Sequence, residues 1–125
     1  MRNNSAPACG VIAEVLGDWQ QAFDDHRPAE IAALFTPDAQ FQGISPRLRI
    51  GRAEIAGYYE DVADGARATV EVLHGMVLDD GLAAGFADVT FSALSGELFP
   101  VRLSVVAQRT AAGTWLIRQY HAAPR

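Results

Sequence analysis

The chain has a single cysteine, Cys9, so it forms no disulfide within itself, and a reducing compartment is compatible with it. It also lacks a basic run. Ten basic residues stand against fifteen acidic ones for a formal charge of −5, which argues against a surface that tracks nucleic-acid phosphates. No stretch approaches the roughly 20 consecutive apolar residues of a membrane span. The opening MRNNSAPACGVIAEVLG has no charged start followed by a clean apolar run, because Glu14 and Asp18 interrupt it. The expectation is a cytoplasmic protein with neither nucleic acid nor membrane as partner. No glycine-rich phosphate loop is present, and His26, His74 and His121 show no HxH or HxxxH spacing. Neither a metal nor a cofactor is expected. Internal repeats and low-complexity linkers are missing too.

What remains is 125 residues, half of them apolar, enough for one domain with a continuous core. Residues 1–10, with Pro7 and Gly10, read as a flexible tail, and residues 11–125 as the domain. From Val11 to Phe23 the apolar positions Val11, Ile12, Val15, Leu16, Trp19, Ala22 and Phe23 recur at three- and four-residue steps, predicting a helix with one buried face. Asp24 to Pro28 breaks it, and Pro28 suits the first turn of a short second helix, AEIAALF. Thr36-Pro37-Asp38 then predicts a turn, since proline disfavours helical geometry in the residue before it and Asp bonds its own following backbone. AQFQG follows as a strand, ISPRLRIG as a loop, and RAEIAGYYEDVADG as a third helix with Ile55, Tyr58, Tyr59 and Val62 marking one face.

Beyond Gly65 the period changes. ATVEVLHGMVL, AAGFADVTFSA, LFPVRLSVVAQR and TWLIRQYHA are β-branched and aromatic, and DDG, LSGE and TAAG between them are hairpin signals. Three helices followed by an antiparallel meander predict an α+β domain with the helices on one face of a curved sheet. In the third of these strands Val101, Leu103, Val105 and Ala107 share one side, and Val106 joins Arg102 and Ser104 on the other. A sheet with one face in water alternates more cleanly than this, so the outer face is expected to meet a second subunit.

WQQAFDD (Trp19 to Asp25), IAALFTPDAQF (Ile31 to Phe41), GRAEIAGYYEDV (Gly51 to Val62) and GTWLIRQYH (Gly113 to His121), in this order, resemble the NTF2-like superfamily, in particular its SnoaL-like and ketosteroid-isomerase-like branch. The resemblance spans nearly the whole domain from about Val11, on residues that are mostly apolar or in turns. It implies a cone-shaped, cystatin-like fold: a strongly bent, mainly antiparallel sheet wrapped round the first helix, a ligand-binding cavity open at one end, and a homodimer through the outer sheet face. It also implies a cofactor-independent isomerase, cyclase or dehydratase acting on a small, largely apolar molecule, or alternatively a non-catalytic dimerisation or assembly module.

The family's steroid isomerases use an Asp base with a Tyr and a protonated Asp as oxyanion donors. Ungapped alignment over the first helix and strand puts Trp19 at the donor tyrosine and Gly43 at the base; the third position falls on Val105. Indole has no usable proton chemistry and glycine has no side chain, so steroid-type isomerisation is not expected. Tyr59 matches a supporting pocket tyrosine. His74, interrupting Val70, Val72, Met76 and Leu78, is a candidate general base or else a core or interface histidine. Arg102 is a candidate fixed cation or, with Asp88, a structural pair. His121 and Gln119 share a strand face with Trp115 and Ile117 and so are candidates for the cavity mouth, or else solvated residues of a terminal strand. The candidate catalytic set is therefore His74, His121 and Arg102, and the candidate ligand-binding set is Trp19, Phe41, Tyr59 and Gln119. Trp19, Phe23, Phe35 and Phe41 read first as core, and Tyr58 as surface or interface.

Overall fold

The computed structural model describes residues 6–125. Helix α1 (Ala6–Asp24) and helix α2 (Pro28–Ala33) precede strands β1 (Phe35–Gln42) and β2 (Leu48–Ile50); helix α3 (Arg52–Glu60) follows, and then strands β3 (Arg67–Asp79), β4 (Leu82–Ser92), β5 (Leu98–Arg109) and β6 (Trp115–Pro124). The predicted order of helices and meander is met, with three local differences. Helix α1 begins at Ala6 and buries Ala8, so residues 6–10 are its first turn and not a tail; residues 1–5 lie outside the described residues. Leu48–Ile50 is a short strand where a loop is expected, paired antiparallel with Gln40 to Gln42. Thr36-Pro37-Asp38 is not a turn. It lies inside β1, and the register against β6 shifts between Phe35 and Gln40. Proline, which cannot donate a ladder hydrogen bond, is accommodated at that irregularity.

The strands form one sheet in the order β2-β1-β6-β5-β4-β3, antiparallel throughout except for the β1–β6 pair. Its inner face packs on the helices. Ile12, Leu16 and Trp19 of α1 meet Ala87, Val89, Val101, Leu103, Val105 and Ile117 of the sheet in one core. Helix α1 sits especially close over the paired glycines Gly75 and Gly85. A Cβ on Gly75 would lie 2.9 Å from the backbone nitrogen of Cys9, and one on Gly85 would lie 2.9 Å from Ile12 Cγ1. Only glycine permits that approach.

Two irregularities decide which residues face inward. In β3 the register slips between Val72 and His74, and opposite β5 the last strand slips between Ile117 and Gln119, with Arg118 as the extra residue. Each bulge reverses the side on which the following residues emerge. After the second, Tyr120 and Ala122 are buried, whereas Gln119 and His121 are exposed. The outer face then carries a register row running across all six strands: His74, Phe86, Ser104, His121, Gln42 and Leu48.

Candidate functional site

Beneath the inner face, where α3 and the end of α1 meet β4, β5 and β6, lies a half-open pocket of about 170 Å³. Its walls are Phe23, Val62, Ala66, Phe91, Phe99 and Ala122, with Ile44, Tyr58, Tyr59 and Tyr120 completing the lining. The only polar side chains there are three phenols. That leaves an apolar recess walled in part by three phenol rings, a composition suited to a small, largely apolar ligand.

Helical spacing and packing place the phenols. Tyr58 and Tyr59 are neighbours on α3, and Tyr120 arrives from β6 through the frame set by the Arg118 bulge. All three rings gather round Phe41, whose centroid lies 4.8 Å from Tyr58, 5.6 Å from Tyr59 and 4.5 Å from Tyr120. Trp19, fully buried behind them, donates its indole N–H to the Tyr59 hydroxyl at 2.9 Å. A buried Trp and a buried Tyr thus satisfy each other where neither reaches water. Burial pushes the Tyr59 phenol well above its ordinary range, with Tyr120 adding to the shift and the Trp19 N–H opposing it. Burial likewise raises Tyr120, reinforced by Tyr58 and opposed by its contact with Tyr59. Both phenols are therefore neutral donors at ordinary pH.

Tyr58 stands differently. Its hydroxyl accepts the Ile44 backbone N–H at 3.2 Å, and the Arg49 guanidinium lies over its ring at 5.1 Å. Arg49 Nε is buried without a hydrogen-bond partner among the described residues. The Tyr58 ring occupies the space in which a side chain at position 43 would begin, and a Cβ on Gly43 would lie 2.7 Å from Tyr58 Cε2. The position at which the resemblance places an acidic base is thus filled by a neighbour's phenol.

Of the residues singled out from the sequence, Tyr59 lines this pocket, while Trp19 and Phe41 stand directly behind its tyrosines. His74, His121, Arg102 and Gln119 are on the opposite side of the sheet. His74 is exposed beside Phe86, past the β3 slip. Arg102 pairs with Asp88, which also faces Arg125 at 3.4 Å, so the structural alternative for this arginine is the one realised. Gln119 donates its amide to Gln40 at 2.9 Å. It borders, with His121, a second recess on the outer face together with Gln40, Gln42, Leu48 and Ile50. The strict alternation that aimed Gln119 and His121 at the cavity fails at Arg118, and the same step hides Tyr120 from sequence reasoning. Tyr58, expected at the surface or at an interface, is half-buried in the pocket wall. Among the described residues no group of His, Cys, Asp and Glu gathers as metal ligands. No helix among them is long and apolar enough to cross a membrane.

The sequence profile described as a SnoaL-like domain matches residues 16–119. No curated protein matches the chain in sequence. Solved structures resemble its fold. One is a Xanthomonas campestris protein provisionally named a calcium/calmodulin dependent protein kinase II association domain (TM-score 0.78, 23% identity, covering 91% of this chain and 85% of that one). Another is a ketosteroid isomerase-like protein from Erwinia carotovora atroseptica (TM-score 0.79, 16% identity, covering 96% and 98%). A third, from Novosphingobium aromaticivorans, is provisionally named a scytalone dehydratase (TM-score 0.81, 15% identity, covering 93% and 83%).

Proposed function

This chain belongs to the SnoaL-like domain family of the NTF2-like, cystatin-like fold, and on that premise we propose that it binds a compact, largely apolar molecule in the phenol-lined pocket. The observation that carries the reading is the lining itself: apolar walls on which the only polar side chains are tyrosines. Fixed phenols polarise a ligand oxygen, which is the electrophilic half of a cofactor-independent isomerisation, cyclisation or dehydration. No lining side chain takes up a proton at neutral pH, so the reading is of binding first. The size of the pocket favours a single ring, since an engineered cavity of about 150 Å³ accommodates benzene.

The test is ligand-observed NMR with monocyclic apolar compounds on the wild type and on Ala66→Trp, which fills the pocket from its wall. Binding that disappears in the folded variant is expected. If the wild type takes up no such compound, the reading falls.

A second reading is assembly, favoured by the outer face. Phe86 is 49% exposed on β4, next to the edge strand, in the six-strand row, and Met76, Ala84 and Val106 flank it half-buried. Two copies meeting there would form a homodimer and cover Phe86. Sedimentation of the wild type and Phe86→Arg tests this: a dimer that the charge converts to monomer is expected. A wild type monomeric at tens of micromolar would exclude it.

A further inference from the structure

Resting on that reading of the pocket, we propose that Arg49 is an anion receptor at the pocket's mouth, and that the ligand is a single ring carrying a carboxylate on a short arm. The starting point is how the chain places its cations. Acidic residues outnumber basic ones, and most arginines among the described residues hold an Asp or Glu carboxylate, while Arg52 donates to the Phe35 carbonyl at 2.8 Å. Arg47 and Arg49 are the exceptions. Neither makes an ion pair among the described residues, although carboxylates are plentiful. Both lie in the segment that leads from Ile44, in the pocket lining, through β2.

Strand pairing aims Arg49. It stands opposite Phe41, so it emerges on the inner face of the sheet, whereas Leu48 and Ile50 on either side of it are exposed on the outer face. Its guanidinium carbon lies 5.1 Å from the centroid of Tyr58, a ring of the pocket lining. A guanidinium lying over a ring spends its flat face and keeps its N–H donors free at the edge. One of these, Nε–H, is buried with no acceptor among the described residues. A buried donor on a charged group is costly to leave unpaired, and an anionic oxygen relieves it. The planar fork of N–H groups matches the two oxygens of a carboxylate. Arg47, exposed in the same segment, adds a second positive charge to the approach. Arg49 reaches the lining only through Tyr58, so the carboxylate must sit on an arm that clears that ring, with the arm along Ile44 and the ligand's own ring in the apolar walls.

The experiment compares hydrocinnamate with hydrocinnamamide, its uncharged isostere, by NMR titration of protein labelled with ¹⁵N in arginine near neutral pH. With the wild type the acid is expected to bind about tenfold tighter than the amide, the low end of a charge-assisted hydrogen bond. The Arg49 Nε–H resonance is expected to move downfield with the acid and to stay in place with the amide. In Arg49→Gln the acid loses its advantage over the amide; in Arg47→Gln the advantage shrinks but persists. Equal affinities in the wild type, an Nε–H resonance unmoved by bound acid, or an advantage undiminished in Arg49→Gln overturns the proposal and leaves the pocket reading intact. So does a wild type that binds benzene but neither probe. If no ring compound binds, both fall. The wild-type comparison decides the matter even where a variant fails to fold.

Discussion

Replacing Gly43 by alanine probes the packing round Tyr58 directly. The backbone at Gly43 is not in the left-handed region, so the substitution carries no conformational penalty of its own. The cost lies in the new methyl, which would overlap the Tyr58 ring from Cε2 to Oη. Tyr58 must move, and three contacts go with it: the hydrogen bond from Ile44 N–H, about 1 kcal/mol; the Arg49 stack, about 0.5–1 kcal/mol; and the edge contact with Phe41, about 0.5–1 kcal/mol. Against roughly 2–3 kcal/mol lost, alanine restricts the unfolded chain and returns about 0.4–1 kcal/mol. The net expectation is a destabilisation of about 2 kcal/mol. Urea unfolding at unchanged slope measures it. The decisive comparison is a cycle with Tyr58→Ala, in whose background Gly43→Ala has nothing to displace and is neutral or slightly stabilising, giving a coupling of about 2 kcal/mol. A Gly43→Ala protein within 0.5 kcal/mol of wild type, or equal costs in both backgrounds, would refute the reasoning.

Further expectations concern other parts of the molecule. Gly85→Ala drives a Cβ to 2.6 Å from the His74 carbonyl and into Ile12, so it costs about 3 kcal/mol in the same unfolding assay. Gly17→Ala, exposed on α1 with nothing within 4 Å, stabilises by about 0.5–1 kcal/mol; a gain at Gly85 or a loss at Gly17 would contradict the packing described. Because Tyr59 and Tyr120 ionise higher in the folded chain than in the unfolded one, their contribution is complete below the ordinary phenol range, about pH 10, and is lost as pH rises above it. Stability should fall there by up to about 2.7 kcal/mol per pH unit, two protons' worth, and absorbance at 295 nm should show two of the three tyrosines ionising only with unfolding. A flat stability profile from pH 9 to 11 would contradict this. His74→Ala with His121→Ala should leave pocket binding unchanged, since both side chains are on the sheet's other face; a loss of affinity would mean the pocket has been misplaced.

Much of the fold is legible in the sequence because it rests on periodicity. The α1 face from Ile12 to Phe23, the inward set of β5 and the three hairpin turns at Gly81, Gly96 and Gly113 each repeat a signal several times over. The site is less legible because it depends on single-residue events. Nothing in TWLIRQYHA distinguishes an unbroken strand from one carrying an extra residue at Arg118. The extra residue is tolerated through contacts far off in sequence: Arg118 reaches Gln108 at 2.7 Å and Asp38 at 3.7 Å. The Thr36-Pro37-Asp38 break is legible as a break, but whether it makes a turn or a strand irregularity depends on β6 arriving alongside eighty residues later. Tyr59 could be read from its helix face. Its partner Trp19 could be read as core, but their hydrogen bond, which links positions forty apart, could not.

The bulge at Arg118 works as a frame marker. Upstream of it β6 is read in one phase and downstream in the other, so the irregularity decides which letters of QYHA are spelled into the pocket. Deleting Arg118 would return the strand to even alternation with Ile117 and Tyr120 still inward, whereas an unbroken strand that kept Arg118 would turn the amide of Gln119 and the imidazole of His121 inward in place of the phenol. The bulge, and not the identity of the residues beyond it, keeps the phenol inward.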